Sequence, residues 1–185
     1  MTFLVDLLAA TLRNATPLVY GTVGETYAER SGVLNLGIEG TMYAGAFAGF
    51  ATAWATGSPL IGLLAAVVVG IGAGLVMALM TVTVGANQHV AGIGLTIGLI
   101  GLAEFTNRVI FQGGELQRIE PMPMLNPFGD VGGIGAIFDQ YALTWICFLL
   151  VVPAAWWLLQ RSSFGLEIQA VGENPEAADA ATSGC

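Results

Sequence analysis

The chain has 185 residues, of which 55% are hydrophobic and only 10% are charged, and its mean hydropathy is +0.75. A soluble domain uses about 25% charged residues to cover its surface, so this composition excludes an ordinary globular enzyme and a disordered chain. The net charge of −8, without a single lysine, argues against nucleic acid as a partner and against electrostatic docking on anionic lipid.

The uncharged residues are concentrated in one long stretch. From Gly40 to Ala103, 64 consecutive residues include no Asp, Glu, Lys or Arg. A helix that spans a bilayer needs roughly 20 apolar residues, so this stretch has room for about three spans. The sequence therefore predicts an all-α, polytopic integral membrane protein, a helix bundle of about five transmembrane helices.

Apolar runs and helix breakers divide the chain into five predicted spans. The spans cover residues 3–24, 37–56, 60–84, 90–111 and 141–159, with turns at 57–59 and 85–89 and a polar loop at 112–140. They form a predicted transmembrane domain over residues 1–160, which a charged segment over 161–185 follows.

The first predicted helix, residues 3–24, leaves two arrangements open. Arg13 and Asn14 lie near its middle, and Pro17 follows. Either the helix crosses the bilayer with Arg13 facing the bundle interior, which we favour, or residues 3–12 lie in the interface and only a half-helix enters. At that depth Arg13 is a candidate for the solute pathway.

Small side chains recur on the third and fourth helices at intervals of four residues. They are Gly62, Ala66, Gly70, Gly74 and Ala78 on the third helix, and Gly94 and Gly98 on the fourth. Such stripes let membrane helices approach closely, so the pattern predicts a tightly packed bundle.

A few polar residues interrupt or border the apolar runs. Asn87, Gln88 and His89 form a turn that either lines a pathway or is simply exposed to water. Glu104 and Arg108 are four residues apart in the favourable order, which predicts an ion pair at a membrane face.

Asn35 and Glu39 are also four residues apart, at the start of the second helix, where we expect them to share a face. Two interpretations remain open. Asn35 near the N-cap and Glu39 in the first turn would stabilise the helix start, or the two side chains form a polar site.

The residues restrict the possible energy sources. A phosphate-binding P-loop needs a lysine, and the chain has none. Ion-driven carriers usually place carboxylates inside the membrane, whereas here the second to fourth helices carry only Glu39 and Glu104, each near an end. The lone histidine and two cysteines form no pattern of a metal site or nucleophile, so we expect no enzyme, metal or cofactor and an energy source in a partner.

The charged tail contains a helix start signal. Asn174 is a good N-cap, Pro175 suits the first helical position, and Glu176 suits the positive end of a helix dipole. We therefore predict a short helix after the last span, which is either an acidic, solvated tail or a docking helix for a partner protein.

Two segments resemble the permease subunits of ABC importers for nucleosides and simple sugars, the branched-chain amino acid and ribose type of permease. Residues 29–40, ERSGVLNLGIEG, resemble the signature segment of this family. Residues 164–178, FGLEIQAVGENPEAA, resemble its cytoplasmic coupling loop. The two segments have the order and separation found in the family, and the similarity covers residues 11 to 181.

The resemblance implies a multi-pass protein of a prokaryotic plasma (inner) membrane. It implies a second permease subunit, a cytoplasmic ABC ATPase that binds the ATP, and an extracytoplasmic substrate-binding protein. It places the tail and residues 25–36 and 85–89 inside the cell, and residues 57–59 and 112–140 outside.

The resemblance also implies roles for individual residues. Asn35, Glu39 and Gly40 would lie at the cytoplasmic mouth of the translocation pathway. Coupling to the ATPase would involve Gly165, Gln169, Gly172, Glu173, Asn174, Pro175 and Glu176. At the position of Gln169, family members commonly carry an arginine.

Family permeases continue with further spans beyond this loop, whereas this sequence ends at Cys185. It therefore resembles the N-terminal portion of a permease, cut inside its coupling helix. The predicted function is that of an importer permease subunit that moves nucleosides or related simple sugars by alternating access, driven by a separate ATPase. The alternatives are a non-functional truncated permease fragment and an ATPase-independent carrier or channel.

Overall fold

The computed structural model describes residues 2–111, 121–126 and 137–182, and most of them are helical. The helices are α1 (Thr2–Arg30), α2 (Ile38–Thr56), α3 (Pro59–Ala78), α4 (Gln88–Ile110), α5 (Ala142–Ile146), α6 (Val152–Arg161), α7 (Ser163–Glu173) and α8 (Pro175–Thr182). A π-helical turn, Leu79–Thr83, extends α3, and another, Cys147–Val151, joins α5 to α6. Most of the predicted 112–140 loop lies outside the described residues.

The described residues of that loop include one short strand, and a second short strand lies at the end of the loop. Strand β1 (Met124–Leu125) pairs with β2 (Gln140–Tyr141) in antiparallel register, with Met124 opposite Tyr141. The chain divides into two compact units, one formed by the residues up to Gly32 and from Met122 onward, and the other by Val33–Pro121.

In the first unit, hydrogen bonds join α1 to the helix that runs from α5 through α6. The buried Thr16 hydroxyl donates to Thr144 Oγ1 over 3.1 Å. Further along the same side of α1, the hydroxyl of Tyr20 donates to the Leu143 carbonyl and that of Tyr27 to the Ala155 carbonyl, each over 2.9 Å. Where lipid provides no hydrophobic drive between helices, such bonds help hold two helices together.

In the second unit, small residues bring α2 against α3. A Cβ atom on Gly62 would lie 2.5 Å from the Gly49 carbonyl oxygen and 2.8 Å from Ala53 Cβ. The predicted close packing of the third helix is therefore found at the start of its small-residue stripe. Further along, a Cβ on Gly70 or Gly74 would meet nothing within 4 Å in the described chain.

On α4 the predicted contacts of Gly94 and Gly98 are not formed among the described residues. A Cβ on Gly94 or Gly98 would meet no described atom within 4 Å, whereas one on Gly92 would lie 2.9 Å from Leu36 Cβ and 3.0 Å from the Gly37 nitrogen. The position of α4 along the segment before α2 brings Gly92, rather than Gly94 or Gly98, into contact with that segment. The spacing of glycines within one helix cannot predict this position.

Helix α1 is continuous over 29 residues and contains Pro17. It continues past Gly24, where we predicted its end, because the following residues Glu25–Arg30 are mostly good helix formers. A helix of this length measures about 44 Å, which exceeds the thickness of the bilayer core.

Three helical segments of the described chain are long and apolar enough to cross a membrane. These are Pro59–Thr83, Gln88–Ile110 and Ala142–Arg161. The chain is therefore an α-helical membrane protein with several spans, and the crossing of α1 and of α2, which would bring the number to five, remains a prediction.

Candidate functional site

The segment before α2 differs from the expected helix start. Helix α2 begins at Ile38 with Gly37 as its N-cap, so Asn35 lies outside the helix and does not share a face with Glu39. Instead, the Gly37 N–H donates to Asn35 Oδ1 over 2.9 Å, in the local turn that Asn side chains commonly form. Glu39 lies exposed in the first helical turn, where the helix dipole favours a carboxylate, as expected.

Helix α4 holds this segment in place. The Leu34 N–H donates to Gln88 Oε1 over 2.8 Å, and the Thr96 hydroxyl donates to the Leu36 carbonyl over 3.1 Å. The structure thus brings Gln88 to the turn that Asn35 shapes, which joins two of the predicted polar features at one end of the second unit.

The observed turn before α4 is shorter than the predicted turn at 85–89, because α4 already begins at Gln88. Asn87 is its N-cap, and its Oδ1 accepts from the N–H groups of His89 and Val90 over 3.0 and 3.3 Å. His89 is exposed in the first turn. Asn87 and Gln88 therefore have structural partners that account for their polarity.

Gly40 marks the point where the backbones of α2 and α4 meet. It is buried, and a Cβ atom there would lie 2.5 Å from Thr96 Cα and 3.0 Å from the Thr96 carbonyl oxygen. Since these are backbone atoms, no side-chain rotation could relieve the overlap. Gly40 is required here by packing.

The predicted Glu104–Arg108 ion pair is not formed among the described residues. The Tyr43 hydroxyl of α2 donates to Glu104 Oε1 instead, and Arg108 is exposed. An intrahelical pair at four-residue spacing contributes only about 0.2–0.5 kcal/mol, so a tertiary partner readily displaces it.

Arg13 joins α1 to the start of β2. Its Nη2 donates to the Asp139 carbonyl over 3.3 Å, and its guanidinium carbon lies 5.3 Å from the centre of the Tyr141 ring. Beside it, Gln140 is 2% exposed and donates to the carbonyls of Ala9 and Ile137. Sequence reasoning missed Gln140, because a glutamine at the end of a polar loop carries no signal of burial.

The tail residues implied in coupling separate into two sets. Gly165, Gln169 and Gly172 recur at intervals of four and three and lie on one side of α7. Gly165 packs against the carbonyls of Leu158 and Leu159 at the end of α6.

The other two residues of this set complete the attachment of α7. Gln169 Nε2 donates to the Leu159 carbonyl over 2.8 Å. Gly172 packs against the Arg30 carbonyl, and a Cβ there would lie 3.0 Å from the Gly32 nitrogen. Helix α7 is therefore attached both to the end of α6 and to the end of α1.

The second set faces outward, since Glu173, Asn174, Pro175 and Glu176 are all exposed. The structure confirms the predicted helix start here: α8 begins at Pro175, and the Ala177 N–H donates to Asn174 Oδ1 over 3.0 Å. Helices α7 and α8 enclose an open, mainly apolar groove of about 610 Å³. Its walls are Leu166, Glu167, Ala170, Val171, Pro175, Ala178 and Asp179.

Ser162 is a further residue that sequence reasoning missed. It is the N-cap of α7, where its Oγ accepts from the Gly165 N–H over 3.0 Å and donates to the Leu158 carbonyl. A serine directly before a helix is a recognised start signal and would have predicted α7 as a helix separate from α6.

Replacing Asn174 by alanine should destabilise α8 by about 1 kcal/mol, because the substitution removes the oxygen that accepts from Ala177. Hydrogen exchange at the amides of α8 should become several-fold faster. Asn174→Asp, which retains a capping oxygen, is the matched control and should leave exchange nearly unchanged. Equal exchange in all three chains would contradict the cap.

The fold and these features define a polytopic α-helical membrane protein in which two short helices, α7 and α8, follow the last described span. Residues 7–182 match the family of the branched-chain amino acid transport system permease component, and the chain belongs to this family. As a member of this family of transport permeases, it is a multi-pass protein of a prokaryotic plasma membrane.

Three curated relatives carry more specific descriptions. The chain is 38% identical to a putative glucose ABC transporter permease protein of Haloferax volcanii, over 97% of this chain and 55% of that protein. It is 33% identical to a guanosine ABC transporter permease protein of Bacillus subtilis and 32% identical to a nucleoside ABC transporter permease protein of Lactococcus lactis subsp. cremoris, each over 94% of this chain and 57% of the relative. The chain thus spans a little over half the length of these relatives. No solved structure matches it.

Proposed function

We propose that this chain acts in the permease subunit of an ABC importer and moves nucleosides or related simple sugars by alternating access, driven by a separate ATPase. The observation that carries the proposal is that the tail has one side attached to the spans and another side left exposed. One side of α7 is attached to α6 and α1, and the exposed α8 leaves a groove open to a partner. The family membership and the descriptions of the three relatives support it.

The attachment of α7 suggests how force would reach the spans. ATP binding in the partner would close its two halves and push on α8. Because α7 is packed against the Leu158 and Leu159 carbonyls and against Arg30, the displacement would pass to the ends of α6 and α1. These two helices also share hydrogen bonds, so they would move together.

This arrangement supports a specific set of proposed partners. The apolar groove between α7 and α8, bordered by the carboxylates of Glu167 and Asp179, would receive a cytoplasmic ATPase surface of apolar and basic residues. ATP would bind to that subunit, so the chain itself needs no cofactor and catalyses no reaction. A second permease subunit would complete the pathway, and an extracytoplasmic binding protein would deliver the solute.

A tail on the cytoplasmic side, as we propose, would set the orientation of the other elements. The turn with Asn35, the first turn of α2 with Glu39, and the Gly40 crossing would then lie at the cytoplasmic mouth of the pathway, together with Gln88. Residues 57–59 and the 112–140 loop would lie outside. Arg13, close to that loop, would hold its end against α1.

The proposal is tested by co-purification and uptake together. The chain, expressed with an ABC ATPase and a substrate-binding protein of the same organism, should co-purify with the ATPase, and uptake of labelled uridine or glucose should require ATP. A Walker A lysine substitution in the ATPase should abolish uptake while complex formation persists. Uptake that survives loss of the ATPase would instead establish an ATPase-independent carrier or channel.

A further inference from the structure

Helix α2 presents two chemically different faces. Gly45, Gly49 and Ala53 lie toward α3. A second face, about a third of a turn away, carries aromatic side chains at positions i, i+4, i+7 and i+11. These are Tyr43, Phe47, Phe50 and Trp54, which we call the aromatic stripe.

The aromatic stripe meets the C-terminal half of α4. The Tyr43 hydroxyl donates to Glu104 Oε1. About two and three turns further along α2, the Phe50 and Trp54 rings lie 5.7 and 5.1 Å from the ring of Phe111, measured between centroids. Tyr43 and Phe50 nevertheless remain 42% and 43% exposed. The stripe thus has an open side.

The Glu104 carboxylate restricts what that open side can face. Glu104 lies inside a segment long and apolar enough to span the membrane, and acyl chains would give its charge no stabilisation. Carboxylates in spans almost always face a bundle interior or a water-filled cavity. Among the described residues, only the Tyr43 hydroxyl is hydrogen-bonded to its side chain, so the carboxylate retains capacity to accept further hydrogen bonds.

Trp54 adds a second polar group to the same face. Its indole Nε1 is buried and has no hydrogen-bond partner in the described chain. Buried donors are rarely left unpaired, because the lost hydration is not recovered. The aromatic stripe therefore combines apolar rings with a buried indole donor and with the half-buried Glu104 carboxylate, and the carboxylate is the group that an incoming molecule could reach.

We propose that Glu104, Tyr43 and the rings beyond them form a subsite for a solute that carries a vicinal diol, such as the ribose of a nucleoside or a pyranose sugar. The two oxygens of Glu104 accept from neighbouring hydroxyls, and Tyr43 holds the carboxylate in position. The apolar face of the solute lies against Phe50 and Phe111. This inference rests on the proposed function, whose substrate class it specifies.

The direct test measures equilibrium binding to the chain in lipid nanodiscs, with labelled uridine and with 2′,3′-dideoxyuridine, which lacks the diol. Wild type should bind uridine at least about 100-fold more tightly than the dideoxy compound, because each of the two hydrogen bonds to a charged group is worth about tenfold or more. Glu104→Gln should reduce this preference to a few-fold, and Tyr43→Phe should have an intermediate effect. Asp6→Asn, a carboxylate change in α1, is the matched control and should leave the preference intact.

Three results would overturn the subsite: no binding of uridine, equal affinity for the two compounds in the wild type, or an unchanged preference in Glu104→Gln. A thermal unfolding curve for each variant confirms that the chain remains folded. The outcomes also separate this inference from the proposed function. ATP-dependent uptake without a diol preference removes only the subsite, whereas a preference that depends on Glu104 with ATP-independent uptake removes only the coupling to an ATPase.

Discussion

Deletion of residues 175–178 is expected to reduce ATP-dependent solute uptake to background while the protein still inserts into the membrane. The deletion removes the first turn of α8 and one wall of the groove, but it leaves α7 attached through Gly165, Gln169 and Gly172. The spans would therefore fold, and the push from the ATPase would have no surface on which to act. The measurement is uridine or glucose uptake in cells whose only copy carries the deletion.

The control for this deletion is Asn174→Asp, which keeps the chain length and the capping oxygen and should retain most of the uptake. The abundance of each variant in the membrane is measured in parallel. Co-purification of the ATPase should fall with the deletion and persist in the control. Undiminished ATP-dependent uptake in the deletion strain would disprove the coupling role of α8.

Gly40→Ala is expected to destabilise the second unit by about 1–3 kcal/mol, the usual cost of inserting a methyl group into a packed contact. The added Cβ would lie 2.5 Å from Thr96 Cα, so α2 and α4 would have to separate. That separation would also strain the bond between the Thr96 hydroxyl and the Leu36 carbonyl. Uptake should fall severalfold, in parallel with the loss of folded protein.

The matched control is Gly98→Ala on α4, where a Cβ meets nothing within 4 Å in the described chain. This variant should be neutral or slightly stabilised, by up to about 1 kcal/mol, because alanine favours a helix over glycine. Unfolding in mixed micelles, followed by circular dichroism, compares the two variants with wild type. Equal stability of both would show that α2 and α4 do not cross at Gly40.

Features that depend on neighbouring residues in the chain could be predicted from the sequence. The length of the apolar runs predicted a helical membrane protein, because a span must satisfy its backbone internally whatever its neighbours are. The start of α8 was predicted correctly from Asn174 and Pro175, since a cap is formed by residues two or three positions away. The start of α2 was also predicted to within one residue, but the shared face of Asn35 and Glu39 was wrong, because Asn35 lies in a turn before the helix that α4 holds in place.

The tertiary structure decided which residues are partners. Glu104 pairs with Tyr43, 61 positions away, and Gly172 packs against Arg30, although nothing in the local spacing of either residue indicates it. The composition and the uncharged stretch thus established by themselves that this is a membrane helix bundle. Each span must be apolar and must satisfy its own backbone hydrogen bonds in lipid, whatever helices pack beside it. Which glycines form contacts, and where the carboxylate in the fourth helix points, depend on helix register, which long-range packing determines.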